Sequence, residues 1–347
     1  MKKIKKIKQK WIPFLLISLP LFACCSALPN DYSAEESSEI YAMDTLISIS
    51  VWGNHSTTAL SDAKSYLYQM EELFSTTRSS SEVFQINLIS ENQALNNLPL
   101  SEEVAEVLEY GIEMSEITQG TFDLSIYPIV KAWGFTLGEE IVPEAETIDH
   151  LLPLVDSQLI TWDGENLSLP QGMELDFGAI TKGFVADQLA EQLKEDHISS
   201  AMISLGGNIY ALGKKQDGSL WNIGIQNPYG GGAILSVQIE NKAVVTSGGY
   251  QRYFTHEGNT YGHIIDPRTG YPADAGLSSV SIISDSAMYA DCLSTALFVM
   301  GLEEAIAFWR EHQDFQAVLI TDQGEIYITS GLPYTLANGY SAQVISP

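Results

Sequence analysis

The sequence predicts an α+β fold: a single domain of mixed sheets with flanking helices. Strand-patterned and helix-patterned segments are interspersed, without the regular βαβ rhythm of a doubly wound sheet. No GxGxxG or Walker-type phosphate loop occurs, which argues against Rossmann and P-loop nucleotide enzymes. From Glu39 onward there is no second linker, low-complexity tract or internal repeat, so residues 39–347 are expected to form one domain.

Thr45–Val51 alternates Ile47, Ile49 and Val51 with Ser48 and Ser50, the pattern of a half-buried strand. Leu60, Ala63, Leu67, Met70 and Phe74 then share one helical face, with Ser56 or Thr57 placed to cap it. Val104, Leu108 and Ile112 mark a second helix ending before Gly120. Val185, Leu189 and Leu193 mark a third that opens near Thr181. Strands are expected at Ala201–Leu205, Ile234–Ile239, Ala243–Thr246, Ser279–Ile283, Ala317–Thr321 and Glu325–Thr329. Among them lies a helix opening at Ser286 or Asp291, running to Met300 and stopped by Gly301.

The N-terminus has the pattern of an export signal. Six lysines within residues 2–10 precede the short apolar run Trp11–Ala23, which is below the ~20 residues of a spanning helix. Leu21-Phe22-Ala23-Cys24 resembles a bacterial lipobox, so residues 1–23 are expected to be removed and Cys24 lipidated. Residues 24–38 would then tether the domain to the outer, extracytoplasmic face of the cell membrane. Only Cys292 lies in the folded part, so no intradomain disulfide is possible.

The chain carries 17 basic and 44 acidic residues, a formal charge of −27. Without residues 1–23 the balance is 11 against 44, or −33. Such a surface repels phosphate backbones and excludes nucleic acid as a partner. Anionic lipid is equally disfavoured, so the lipid anchor would have to hold the chain at the membrane. A polyphosphate ligand would need a metal or a few placed cations.

Asp291-Cys292-Leu293-Ser294-Thr295 is the most informative segment. Residues four apart share a helix face, so Asp291 and Thr295 can aim two oxygens at one point. That pair suits a hard cation such as Mg²⁺, which takes oxygen ligands and shares them with substrate phosphates. Asp176-Phe177-Gly178-Ala179-Ile180-Thr181-Lys182-Gly183 has the pattern of a strand ending in a turn that opens a helix. Its free N–H groups and Lys182 favour an anion, although a glycine turn with a solvated lysine has the same sequence. Ser204-Leu205-Gly206-Gly207-Asn208 and Thr246-Ser247-Gly248-Gly249 are further glycine turns; the first, taken alone, is expected to be a hairpin, although paired glycines also let a ring or phosphate lie against the backbone. His263 stands at a strand end, where imidazole is a usable base or an ordinary structural group. Asp266-Pro267-Arg268-Thr269-Gly270 has turn composition. Gly120-Thr121-Phe122-Asp123, Tyr127-Pro128 and Trp133-Gly134-Phe135 supply aromatics and an acid, for ring stacking or for the core.

In this order, and with Met43-Asp44-Thr45 and Phe74-Ser75, these segments resemble the FAD:protein FMN transferases, the ApbE-type flavin transferases, from about Tyr41 to about Gly301. The resemblance implies Mg²⁺-dependent transfer of FMN from FAD to a Thr or Ser of a target protein, with AMP leaving. It implies Mg²⁺ ligation by Asp291, Thr295 and the Ala179 carbonyl. FAD contacts are implied for Met43, Thr121, Phe122, Asp123, Asp176, Lys182 and the backbone near Ile265, and activation of the attacking hydroxyl for His263. The implied partners are extracytoplasmic flavoproteins bearing a Thr/Ser acceptor motif.

Two positions depart from the family pattern. Thr77 stands where the family often has an aromatic residue covering the flavin, and Cys292 replaces a commoner Ala. Thr77 keeps open an Mg²⁺-dependent FAD pyrophosphatase, with water as acceptor. A flavin-binding lipoprotein without chemistry is the third reading, disfavoured by the presence of Asp291, Thr295 and His263 together.

Overall fold

The computed structural model describes residues 35–136 and 138–347. The expected signal, the lipidation site Cys24 and most of the tether lie outside the described residues. Residues 35–38, assigned above to the tether, instead pair with the second strand, from Glu35↔Trp52 to Ser38↔Ile49. Their Glu/Ser composition resembles a linker because the strand lies on a sheet edge, where charge discourages pairing with another chain.

A nine-stranded sheet organises the chain, and its spatial order follows the sequence: Glu35–Ala42, Thr45–Trp52, Ser200–Leu205, Asn208–Gly213, Lys242–Gly248, Leu277–Ser284, Gln316–Thr321, Ile326–Thr329 and Ala342–Ile345. Neighbours are antiparallel except the last pair, which is parallel. Among the described residues seven α-helices accompany it: α1 Ser56–Phe74, α2 Glu82–Asn92, α3 Glu102–Ile117, α4 Tyr127–Ala132, α5 Ala145–Leu151, α6 Thr181–Glu195 and α7 Ala287–His312.

Alternation along each strand divides the core. Ile47, Ile203, Val245 and Ile282 cluster with Leu67 of α1, Leu189 of α6 and Leu293 and Leu297 of α7. Val244, Ile283, Val318 and Ile328 point the other way, against Ile223, Leu235 and Val237 of a three-stranded sheet. Both faces of the central strands are therefore covered, which is why their sequences are continuous apolar runs. Burial of that much apolar surface, at roughly 25 cal/mol per Å², makes a disulfide unnecessary.

Three local expectations are corrected. Helix α1 is not capped by Ser56 or Thr57: His55 precedes it in the left-handed region, φ 73°, and Ser56 is already helical. The segment before Asp176 is not a strand. Asn87 of α2 bonds both backbone groups of Leu175, at 2.7 and 2.8 Å, and Asp176 N donates to Leu124 O at 2.8 Å. Those partners leave only an isolated bridge between Glu174 and Ile126. Gly301 does break α7, at φ 80° and ψ 179°, but the helix resumes and runs to His312. A Cβ on Gly301 would lie 2.7 Å from Ala275 O, so that close approach requires glycine.

By length and composition α7 is apolar enough to span a bilayer. Its Asp291, Cys292, Leu293, Ala296, Leu297 and Phe298 are buried against the sheet and α6, so it is the core helix of this domain.

Candidate active site

Helices α6 and α7 meet at their N-termini and cap each other. Asp187 on α6 accepts from Ser286 Oγ at 2.8 Å, Ala287 N at 2.7 Å and Met288 N at 3.0 Å, which satisfies the first turn of α7. In return Asp291 Oδ2 on α7 accepts from Gly183 N at 2.9 Å in the first turn of α6. Ile180, at the cap position of α6, has no side-chain oxygen to do this, so the neighbouring helix supplies it. The carboxylate also sits at the positive end of the α6 dipole.

Glycine at position 183 makes that approach possible. A Cβ there would lie 2.3 Å from Ala287 O and 2.6 Å from Met288 Cα, both backbone atoms that cannot swing aside. Gly183→Ala is expected to force the helices apart and lower stability by about 1–3 kcal/mol. A thermal melt showing no loss against the unchanged chain would contradict this packing.

Asp291 is 3% exposed and holds two further partners. Asn208 Nδ2 donates to Oδ1 at 2.9 Å, and Lys182 Nζ lies 3.7 Å from Oδ2. Asn208 opens the strand after the Gly206-Gly207 turn, which the structure shows to be a hairpin connection. Thr295 stands one turn beyond Asp291, half-buried, with its Oγ1 3.2 Å from Ser247 Oγ.

Because Gly183 N is bonded to Asp291, it does not bond the Ala179 carbonyl four residues back, as a regular helix would require. Among the described residues no backbone N–H is bonded to that carbonyl. Asp291, Thr295 and Ala179 thus offer a carboxylate, a hydroxyl and a carbonyl, with at most one formal negative charge. No group of three or more His, Cys, Asp or Glu side chains suited to a metal exists among the described residues. The oxygen set suits a hard cation that keeps several waters or ligand phosphates. Cys292 is wholly buried in the core, and burial pushes its thiol well up.

Asp176, Lys182 and His263 adjoin this centre. Asp176 Oδ1 accepts from Gly178 N at 2.7 Å, and Lys182 Nζ donates to Gly178 O at 2.7 Å. Burial raises the Asp176 pKa, against the opposing pull of Gly178 N–H, Lys182 and Arg252. His263 Nδ1 faces Arg252 O at 3.0 Å, so Nδ1 carries the proton and Nε2 is the basic nitrogen. Burial, with Arg252 and Lys182 nearby, lowers the His263 pKa from 6.5 to about 4. The imidazole is therefore neutral, and able to accept a proton, at physiological pH.

Arg252 is a residue the sequence reading did not single out. Its guanidinium donates to Asp44 O at 3.1 Å, joining the Met43-Asp44 turn to the loop before His263. Both turn residues have positive φ, 53° and 56°. The scarcity of cations in this chain was the available signal for Arg252. Asn208 was inside a noted turn, but its contact with Asp291 is made across 83 residues and leaves no local pattern.

Other expected contact residues lie differently. The Thr121–Asp123 segment runs beside Asp176 through the Leu124–Asp176 backbone bond, yet its side chains turn inward. Thr121 Oγ1 donates to Thr118 O at 2.9 Å, Phe122 joins the core, and Asp123 accepts from Ser115, Ser125 and Ser157. Thr121 and Phe122 face a ligand only through the backbone, whereas Asp123 also edges a cavity of about 530 Å³ with Gly120, Ser157 and Arg268. Ile265 is buried with Ile129 and Trp133, and its backbone pairs with Pro272. Trp133 is wholly buried and donates to Gly270 O at 2.9 Å, so here the aromatics serve the core. Thr77 is exposed and edges a cavity of about 280 Å³ lined by Thr76, Phe84, Leu88, Tyr127 and Lys131.

The chain is 34% identical to an FAD:protein FMN transferase of Klebsiella pneumoniae over 265 residues, 75% of this chain and 81% of that one. It is 32% identical to the FAD:protein FMN transferase of Treponema pallidum over 292 residues, covering 79% and 80%. The fold matches the crystal structure of the ApbE protein from Thermotoga maritima with a TM-score of 0.78 at 29% identity, covering 84% of this chain and 96% of that one. It also matches the apo flavinyl transferase ApbE of Pseudomonas stutzeri, with a TM-score of 0.77 at 29% identity and coverage of 90% and 97%. Residues 43–319 match the ApbE family, and the chain belongs to it.

Proposed function

We propose that this chain is an enzyme that transfers FMN from FAD to a Thr or Ser hydroxyl of a target protein, releasing AMP. The observation that best supports the reading is the meeting of α6 and α7. There Lys182 Nζ lies 3.7 Å from Asp291, Gly183 N turns to Asp291 rather than to the Ala179 carbonyl, Thr295 stands one turn on, and Lys182 also bears on the neutral His263. A pyrophosphate entering a chain of this negative charge needs such a centre, because phosphoryl transfer is chiefly positioning and charge neutralisation. Asp291, Thr295 and the Ala179 carbonyl would hold Mg²⁺, which would supply that neutralisation.

In the reaction the acceptor oxygen forms a bond to the phosphorus of the FMN half, and the bond from that phosphorus to the bridging oxygen breaks. AMP leaves with the bridging oxygen. His263 Nε2 takes the hydroxyl proton, since a Thr or Ser hydroxyl is a poor nucleophile until a base removes it. In this reading Lys182 pairs with phosphate oxygen, and the Met43 turn, the Thr121–Asp123 segment, Asp176 and the Ile265 backbone position the dinucleotide. The acceptors in this reading are extracytoplasmic flavoproteins, met by an enzyme anchored through Cys24 to the outer face of the membrane. Intact mass of an acceptor before and after incubation with FAD and Mg²⁺ tests it. The reading expects one FMN added, lost with EDTA or when the acceptor Thr is replaced; an acceptor of unchanged mass contradicts it.

Thr77, which edges a cavity where the family often has an aromatic residue, motivates a second reading, in which water is the acceptor and FAD is hydrolysed to FMN and AMP. Thr77→Tyr is expected to fill part of that space and reduce free FMN severalfold relative to flavinylated acceptor. An unchanged ratio, measured by chromatography of the same reaction, would remove Thr77 from the account.

A further inference from the structure

The hydroxyl groups around Thr295 form a chain in which Ser247 reaches both Ser294 and Thr295, and each hydroxyl has one proton to donate. Ser294 Oγ donates to Asp291 O at 3.0 Å, within the first turns of α7. With its proton on that carbonyl, which can only accept, Ser294 accepts from Ser247, whose Oγ lies 2.7 Å away. Ser247 therefore donates to Ser294, and has no second proton for Thr295 at 3.2 Å. That contact is made by the Thr295 proton. The Thr295 hydroxyl thus donates toward Ser247 and keeps its lone pairs free on the side away from it.

From this we infer that Ser247, backed by Ser294, is a positioning residue for the cation site. It draws the Thr295 proton away and presents the oxygen of Thr295 as a ligand. The same logic operates on Asp291, whose two oxygens are held by Gly183 N and Asn208 Nδ2. Outer groups of this kind fix the orientation of metal ligands, and their loss typically weakens metal affinity about 10–100-fold. Ser247 lies at the end of the Lys242–Gly248 strand, so the central sheet, as well as the two helices, sets the geometry of the site. The inference rests on the cation reading given under the proposed function.

The test is a titration of the full chain with Mn²⁺ alone, read by the electron paramagnetic resonance signal of the free ion. It includes the unchanged chain, Asp291→Ala, Ser247→Ala, Ser247→Thr and Ser294→Ala. The expected result is binding by the unchanged chain, loss in Asp291→Ala and weakening of about 10–100-fold in Ser247→Ala. Ser247→Thr, which keeps the accepting hydroxyl, is expected to retain affinity. Ser294→Ala leaves the Ser247 proton free to turn toward Thr295, so it should weaken binding as well, and it tests the chain even if Ser247→Ala fails to fold. Full affinity in a folded Ser247→Ala or Ser294→Ala, with Asp291→Ala still defective, overturns the role of the chain alone. No binding by the unchanged chain overturns the cation reading and the inference with it.

Discussion

Asp291→Ala is expected to reduce FMN transfer about a thousandfold or more. Metal neutralisation of a transferring phosphoryl group is worth several kcal/mol, and each 1.36 kcal/mol is about tenfold in rate. The substitution also strips Gly183 N and Asn208 Nδ2 of their acceptor, because both donate to this one buried carboxylate. An unsatisfied buried donor costs about 1–3 kcal/mol, so a lower melting temperature should accompany the loss of rate. Asp291→Asn separates the two effects. It keeps the volume but turns an amide toward two donors, so it should fold less stably and bind cation poorly. Transfer rate and thermal melt are measured on the same preparations; near-normal transfer by either variant would place the cation elsewhere.

His263→Ala is expected to slow transfer about 10²–10⁴-fold, the usual contribution of a positioned general base, with little change in FAD affinity. The pH dependence follows from the same residue. Its pKa is lowered to about 4, so the base stays free as pH falls past 6.5 and is lost only near 4. The acid limb of kcat/KM due to this group should therefore lie near pH 4. Arg252→Gln removes one of the two cations that face His263, the other being Lys182, and should move that limb upward. The sign for folding is opposite to that of a salt-bridged histidine. The unfolded chain takes up a proton near 6.5 and the folded chain only near 4, so stability falls as pH is lowered between those values. An acid limb at 6.5 in the unchanged chain, or undiminished transfer by His263→Ala, would remove His263 as the base.

Much of this fold was legible where a single periodicity ruled. The strand Thr45–Trp52 and the helices α1 and α6 appear within a residue or two of expectation, because one side of each faces the core and the other faces solvent. The central strands were legible as apolar runs, although their register was not. The edge strand Glu35–Ala42 was missed, because an edge needs little apolar surface and its Glu and Ser residues match a tether. The segment before Asp176 was mistaken for a strand because Asn87, 88 residues away, supplies its backbone partners.

The site divides in the same way. Asp291 and Thr295 were legible because helical spacing alone places them on one face. Gly183 was legible as a turn or approach glycine, but not as the contact point of α6 with Ala287. Asn208, Ser247 and Arg252 act through contacts across strands and loops, and no local spacing announces them. Asp123 shows the converse. It is prominent in the sequence, yet the structure fills its carboxylate with Ser115, Ser125 and Ser157 and gives it to the fold.

The most direct measurement is a count of AMP released against acceptor flavinylated, in one reaction of the full chain with FAD, Mg²⁺ and an acceptor protein. Transfer at this site predicts one AMP for each FMN bound to an acceptor hydroxyl, with both products lost in Asp291→Ala. AMP matched by free FMN, with the acceptor unmodified, would contradict the transferase and establish hydrolysis at the same centre.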